Sequence, residues 1–180
     1  STRRTHLDHR LALVADDVDS LAERLEAFAE AGTLQGAAVG HRPRSRSPRI
    51  AFVFSGQGPQ WWAMGRQLAE QQRVFRESLA RCDVAMRRHA GWSLLDELGA
   101  DEGRSRLSQT EIAQPAIFSV QVALAALWKE WGIEPQALVG HSVGEIAAAH
   151  VAGALSLEDA ARLVVARGRV AARRRDDSAQ

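Results

Sequence analysis

Ser142 stands between two glycines in Leu138-Val139-Gly140-His141-Ser142-Val143-Gly144-Glu145, directly after an apolar stretch and directly before a run of helix formers. A serine at so sharp a strand-to-helix turn is pushed out of the backbone path. Glycines at 140 and 144 remove the side chains that would collide where strand and helix cross. The hydroxyl is thereby exposed and able to act as a nucleophile. It also sits at a helix N-terminus, where the Val143 amide can point at a developing oxyanion and the helix dipole favours negative charge. Small residues at these spacings also occur in ordinary strand-turn-helix packing, so the motif alone leaves a structural turn open. A second signal lies upstream. Ile50-Ala51-Phe52-Val53-Phe54 reads as a buried strand that runs into Ser55-Gly56-Gln57-Gly58-Pro59-Gln60-Trp61, and a Gly-Gln-Gly turn lets backbone amides approach a ligand closely.

A serine nucleophile needs a base within about 3 Å of its hydroxyl. His141 is adjacent, but consecutive side chains at such a turn point in different directions. His150 lies eight residues along the following helix, a rise of roughly 12 Å. Neither is expected to serve as the base.

The elements that must position these residues follow from apolar spacing. Leu11, Val14, Val18, Leu21, Leu25 and Phe28 recur at three- and four-residue steps and predict an N-terminal helix with a packing face, ended by Gly32. A short strand is expected around 37–39. The stretch His41-Arg42-Pro43-Arg44-Ser45-Arg46-Ser47-Pro48 marks a boundary. Without interleaved aromatic residues it reads as a solvated linker rather than a nucleic-acid patch. Beyond the strand at 50–54, helices are predicted at 61–71, 73–89, 92–98 and 115–130. The last carries Ile117, Val120, Val122, Leu124 and Leu127 toward a core, with Trp128 and Trp131 as packing residues before Gly132. A strand at 136–140 leads into the elbow. The final helix has Ser156 as N-cap with Asp159 three residues on. It buries Leu157, Ala160, Ala161, Val164, Val165 and Gly168 along one face, with Arg167 beside that stripe. Strand and helix alternate as a parallel sheet with covering helices requires.

Composition is that of ordinary globular material, 46% apolar and 25% charged in 180 residues. A single cysteine, Cys82, excludes a disulfide framework or a cysteine zinc cluster, and its expected role is a small, inert, buried side chain. No metal site is expected. Twenty-three basic against 22 acidic residues give no reason to expect nucleic acid. No apolar run is read as approaching membrane-spanning length and no signal peptide opens the chain, so a cytoplasmic location without membrane association is expected.

Taken together, Phe-Ser-Gly-Gln-Gly-Pro-Gln-Trp (54–61), Ala113-Gln114-Pro115-Ala116, Gly-His-Ser-Val-Gly-Glu (140–145) and Ala166-Arg167-Gly168, in that order, resemble the malonyl-CoA:acyl carrier protein transacylase family. The likeness is greatest to the acyltransferase domain of type I polyketide synthases. Residues 49–180 resemble the N-terminal part of that domain, and residues 1–48, most clearly 7–47, resemble the linker that joins a ketosynthase to it. The resemblance implies an α/β fold, a parallel sheet with flanking helices like the α/β-hydrolase-like large subdomain of an acyltransferase, preceded by a small α+β linker segment.

The resemblance also implies a mechanism. Ser142 attacks the thioester of malonyl-CoA, the amides of Gln57 and Val143 form the oxyanion hole, and Arg167 binds the free carboxylate of the acyl group. Guanidinium suits that last role because its rigid two-donor fork matches a carboxylate. Gln114 and His141 are implied as site-lining residues, although Gln114 read by itself fits a capping or surface glutamine equally well. The acyl-serine is then attacked by the phosphopantetheine thiol of an acyl carrier protein. No cofactor is bound by the domain itself. The implied partners are malonyl-CoA or methylmalonyl-CoA, the carrier protein and a neighbouring ketosynthase. Val143 and the segment 110–115 look more like malonyl-type members. The family's catalytic histidine lies beyond Gln180, so the fragment alone is expected to be impaired, and the tail 173–178 departs from the family pattern. Two other classes stay open: a serine hydrolase with water as acceptor, and a non-catalytic docking module.

Overall fold

The computed structural model describes residues 7–41 and 49–177. The chain divides into two compact units, Ser1–Pro48 and Arg49–Gln180. The Arg/Pro/Ser stretch after His41 and the end of the tail from Ser178 lie outside the described residues.

In the first unit, strands β1 (His9–Ala12) and β2 (Ala38–His41) pair antiparallel, with Leu11 opposite Val39. Helix α1 (Val18–Ala31) connects them. The helical reading of Leu11 and Val14 is therefore corrected: Leu11 is in β1 and Val14 in the connection. The reason is a reciprocal cap. The Asp17 carboxylate accepts from the Ser20 amide at 2.7 Å, and the Ser20 hydroxyl accepts from the Asp17 amide at 3.2 Å, so the helix starts at Val18. The Ser20 amide also holds the Asp17 carboxyl below its ordinary range. Gly32 closes the helix in the left-handed region, φ 69°. The apolar stripe is not covered as a packing face requires, since Val18, Leu21 and Leu25 are exposed and no residue of α1 is buried.

In the second unit, β3 (Ala51–Phe54) and β4 (Ala137–Gly140) pair in parallel, from Ala51 opposite Ala137 to Phe54 opposite Gly140. Alternation along β3 turns Phe52 and Phe54 to the helices and leaves Val53 exposed; Leu138 and Val139 divide in the same way on β4. The crossover between the strands consists of α2 (Arg66–Gln71), α3 (Arg73–Ala90), α4 (Leu94–Gly99), a 3₁₀ turn (Glu102–Arg104) and α5 (Thr110–Glu130). After β4 come α6 (Gly144–Val151) and α7 (Leu157–Asp177). Helix α5 packs against α3, α6 and α7. Ile112 and Phe118 of α5 and Phe75, Met86, Leu94, Val164 and Val165 around it are fully buried, each contributing on the order of 2 kcal/mol by burial.

Several boundaries differ from the sequence reading. The helix expected over 61–71 begins only at Arg66, because Ala63 and Gly65 take positive φ (67° and 78°) in a preceding turn. Helix α5 begins five residues before the expected 115, with Pro115 inside it. Proline lacks the N–H that would bond the Glu111 carbonyl. Trp128 and Trp131 form an edge-on pair with centroids 5.2 Å apart, yet both are exposed rather than core residues. Helix α5 is also long and apolar enough to cross a membrane by length and composition, which corrects the reading that no run approaches that length. With 67% of its apolar window buried, it is a core helix.

Cys82 in α3 is fully buried, and burial pushes its thiol from 9.0 up to about 11. Its contribution to stability is complete below pH 9 and is lost as pH rises through 11. At pH 8 native Cys82 should react with iodoacetamide at least about 100-fold more slowly than in the urea-unfolded chain. Equal rates would show that the helical core opens freely around α3.

Candidate active site

β4 ends at Gly140 and α6 begins at Gly144, leaving three residues to reverse from strand to helix. Ser142, at the apex, has φ 58°. A non-glycine residue in that region is strained by about 1–3 kcal/mol, and the packing around it holds the strain. A Cβ added at Gly140 would lie 2.4 Å from the Glu145 Cα, and one at Gly144 would lie 2.2 Å from the Phe54 carbonyl oxygen. Both glycines are therefore required by the crossing of β3, β4 and α6. The amides of Gly144, Glu145 and Ile146 donate to the carbonyls of His141, Ser142 and Val143. The Val143 amide takes no part in these turn bonds, although its side chain is fully buried.

The Gly-Gln-Gly loop lies directly against this turn. The His141 amide continues the parallel pairing by donating to the Phe54 carbonyl at 3.0 Å. A Cβ at Gly56 would stand 2.9 Å from His141 Nδ1 and 3.2 Å from Ser142 Cβ. Gln121 of α5 fixes the start of the loop, its Nε2 donating to the Ser55 carbonyl at 2.8 Å.

From the other side, Arg167 of α7 reaches the serine. Its Nη2 donates to Ser142 Oγ at 2.9 Å and its Nη1 to Gln114 Oε1. Gln114 is buried, 3% exposed, and its Nε2 donates to Gln57 Oε1 at 3.2 Å. Gln57 Nε2 donates in turn to Thr110 Oγ1 at 3.3 Å. The reading of Gln114 as a surface or capping side chain is thus overturned. Gly168 makes the approach of α7 possible, because a Cβ there would stand 3.1 Å from the Glu111 Cα and 3.3 Å from its carbonyl oxygen.

Ser142, Gln57, Gln114 and Arg167 are therefore brought together, with His141 exposed at the edge beside Gly56. His150 is not: its Nδ1 lies 3.1 Å from the Leu155 carbonyl and its ring packs near Phe118. Among the described residues the hydrogen bond to Ser142 Oγ comes from arginine rather than histidine. Thr110 escaped the sequence reading as part of this cluster. Its signal is the i, i+4 spacing from Gln114, which a proline at 115 hides because proline reads as a helix start. Chemically, the arrangement offers a hydroxyl on a strained turn, a cation on its oxygen and, among the described residues, three further guanidinium N–H groups able to take a carboxylate.

A family model for the acyl transferase domain matches residues 51–178. The chain is 48% identical over 170 residues to erythronolide synthase EryA3 of Saccharopolyspora erythraea, covering 94% of this chain and 5% of that protein. It is similar to the acyltransferase domain from module 8 of the salinomycin polyketide synthase, with a TM-score of 0.79 and 38% identity, covering 94% of this chain and 40% of that one. It is also similar to the malonyl-CoA:ACP transacylase of Synechocystis, with a TM-score of 0.60 and 30% identity, covering 69% of this chain and 40% of that one. The chain thus spans a small part of the synthase and about two fifths of each solved domain.

Gly144→Ala forces a methyl group against the Phe54 carbonyl and should lower the unfolding free energy by about 3 kcal/mol or more. Urea denaturation measures this directly, and a loss below about 1 kcal/mol would mean that strand and helix have room to part.

Proposed function

The chain belongs to the acyl transferase domain family, and on that premise we propose that it loads malonyl-type acyl groups in a polyketide synthase. In this reading Ser142 takes the acyl group from a coenzyme A thioester and yields it to the phosphopantetheine thiol of an acyl carrier protein. The observation that carries the reading is the Arg167 guanidinium 2.9 Å from Ser142 Oγ. A carboxylate-binding fork beside the nucleophile selects an acyl group that bears a second, free carboxylate.

In the first half-reaction Ser142 Oγ attacks the thioester carbonyl, the carbon–sulfur bond breaks, and coenzyme A leaves as the thiol. The amides of Gln57 and Val143 receive the tetrahedral oxyanion, worth on the order of 3 kcal/mol for each well-placed donor. In the second, the carrier thiol attacks the acyl-serine and the serine hydroxyl is regenerated. The proton taken from Ser142 goes to a general base, a role assigned neither to His150, which is engaged elsewhere, nor to His141 at the exposed edge, but to the histidine that the family resemblance implies. We assign residues 49–180 to the large, hydrolase-like subdomain. Residues 1–48 are assigned to the linker from a neighbouring ketosynthase, supported by the separate β1-α1-β2 unit and the family match beginning at residue 51. Malonyl is the preferred extender on the strength of Val143 and the segment 110–115, and the setting is cytoplasmic. A serine hydrolase would use the elbow with water, but would have no use for Arg167 beside the hydroxyl.

Within the complete acyltransferase domain, brief exposure to malonyl-CoA should add a malonyl group to Ser142 by intact-mass measurement, and Ser142→Ala should abolish it. Arg167→Gln removes charge-assisted bonds worth about 2–3 kcal/mol, so malonyl loading should fall roughly 30- to 150-fold. Acetyl loading, which offers no carboxylate, should change far less. Equal losses for both acyl groups would remove Arg167 from carboxylate recognition, and hydrolysis in place of transfer would favour the hydrolase.

A further inference from the structure

The chain of side-chain bonds behind Ser142 has a direction. Arginine can only donate hydrogen bonds, so Arg167 obliges Gln114 to present Oε1 to it. That turns Gln114 Nε2 toward Gln57, which must then present its own Oε1. Gln57 is left with an NH₂ group that requires an acceptor, and the group standing there is the hydroxyl of Thr110. Thr110 and Gln114 are one turn apart on the same face of α5, so one rigid helix grips both ends of the Gln57 amide. Thr110 is itself 9% exposed, leaving little water to replace its oxygen.

We propose that Thr110 is a positioning residue for acyl transfer: its hydroxyl oxygen holds the Gln57 side chain so that the loop presents the Gln57 backbone amide to the oxyanion. The proposal rests on the acyltransferase reading and deepens it. Gln57 sits between two glycines, Gly56 and Gly58, where the backbone is least constrained by its own chemistry. The lateral bonds of the Gln57 side chain therefore supply constraint that the loop sequence lacks. The oxyanion is absent from the bound thioester and develops in the transition state leading to the tetrahedral intermediate, so loosening this donor lowers the rate of acylation and leaves ground-state binding of the thioester nearly unchanged. Valine at 110 keeps the shape and removes the acceptor; serine keeps the acceptor and removes the methyl group.

The test is single-turnover acylation of Ser142 by malonyl-CoA in the complete acyltransferase domain, comparing the parent with Thr110→Val and Thr110→Ser, with thermal melting of all three. Thr110→Val should reduce the acylation rate constant about tenfold with the half-saturating malonyl-CoA concentration within about twofold of the parent, and Thr110→Ser should return the rate to within about twofold. The proposal is overturned if Thr110→Val acylates within twofold of the parent, if Thr110→Ser falls as far as Thr110→Val, or if the loss appears in half-saturation rather than rate. A parent that is never acylated on Ser142 is a different result: it removes the acyltransferase reading, and this proposal with it.

Discussion

The site depends on one pairing, the parallel contact of β3 with β4 in the register that sets Phe54 opposite Gly140. Both strands end at the same level and point the same way, so the Gly-Gln-Gly loop and the serine turn emerge side by side from segments far apart in sequence. In parallel sheets ligands gather at the carboxyl ends of the strands for this reason. A slip of one residue would turn Phe52 and Phe54 away from the helices and carry Gly56 away from His141 and Ser142. The buried Phe54 ring resists such a slip. So does the Phe54 carbonyl, which accepts from the His141 amide while lying against Gly144.

A two-stranded sheet has little stability of its own. Here it is held by a helical layer organised around α5, and that layer also supplies the second half of the site. Pro115 leaves the Glu111 carbonyl without its usual helical partner, and Gly168 of α7 packs against that same residue. The absence of a side chain at 168 lets α7 come close enough for its neighbour, Arg167, to span to both Gln114 and Ser142. Helix packing and the setting of the Ser142 hydroxyl are therefore coupled through a single close approach.

The elbow was legible in the sequence because its demands are local. Gly140 and Gly144 are needed wherever a strand and helix cross so tightly, and no other residue type meets a 2.2–2.4 Å obstruction. The core helices were legible from their period and β3 and β4 from their apolar runs, whereas β1 was not, and Arg167 stood apart from the other arginines of α7 only through the family resemblance. Thr110 was not legible, and Gln114 was placed at the site by the family resemblance alone. Proline is common at the first turn of a helix, so Pro115 concealed the turn that precedes it. A buried glutamine bridging two others also leaves no periodic trace. The N-terminal helix misled in the opposite direction: Leu11 and Val14 kept the helical step by coincidence, and only the Asp17–Ser20 cap distinguishes the true start.

Gln114 makes the physical case that this cluster is more than packing. Burying an amide costs several kcal/mol unless its groups are bonded, and an apolar residue would fill the same volume at no such cost. The neighbours of Gln114 along α5, Ile112, Ala113, Ala116 and Ile117, are buried apolar residues. What the glutamine supplies in return is orientation. Its oxygen faces the guanidinium and its nitrogen faces Gln57, so Arg167 on α7 and the Gly-Gln-Gly loop after β3 are held in one hydrogen-bonded frame. Such a frame gains strength from low dielectric when fully satisfied and is expensive when broken at any link. That accounts for an arrangement in which every member, from Arg167 to Thr110, has a partner of the right polarity.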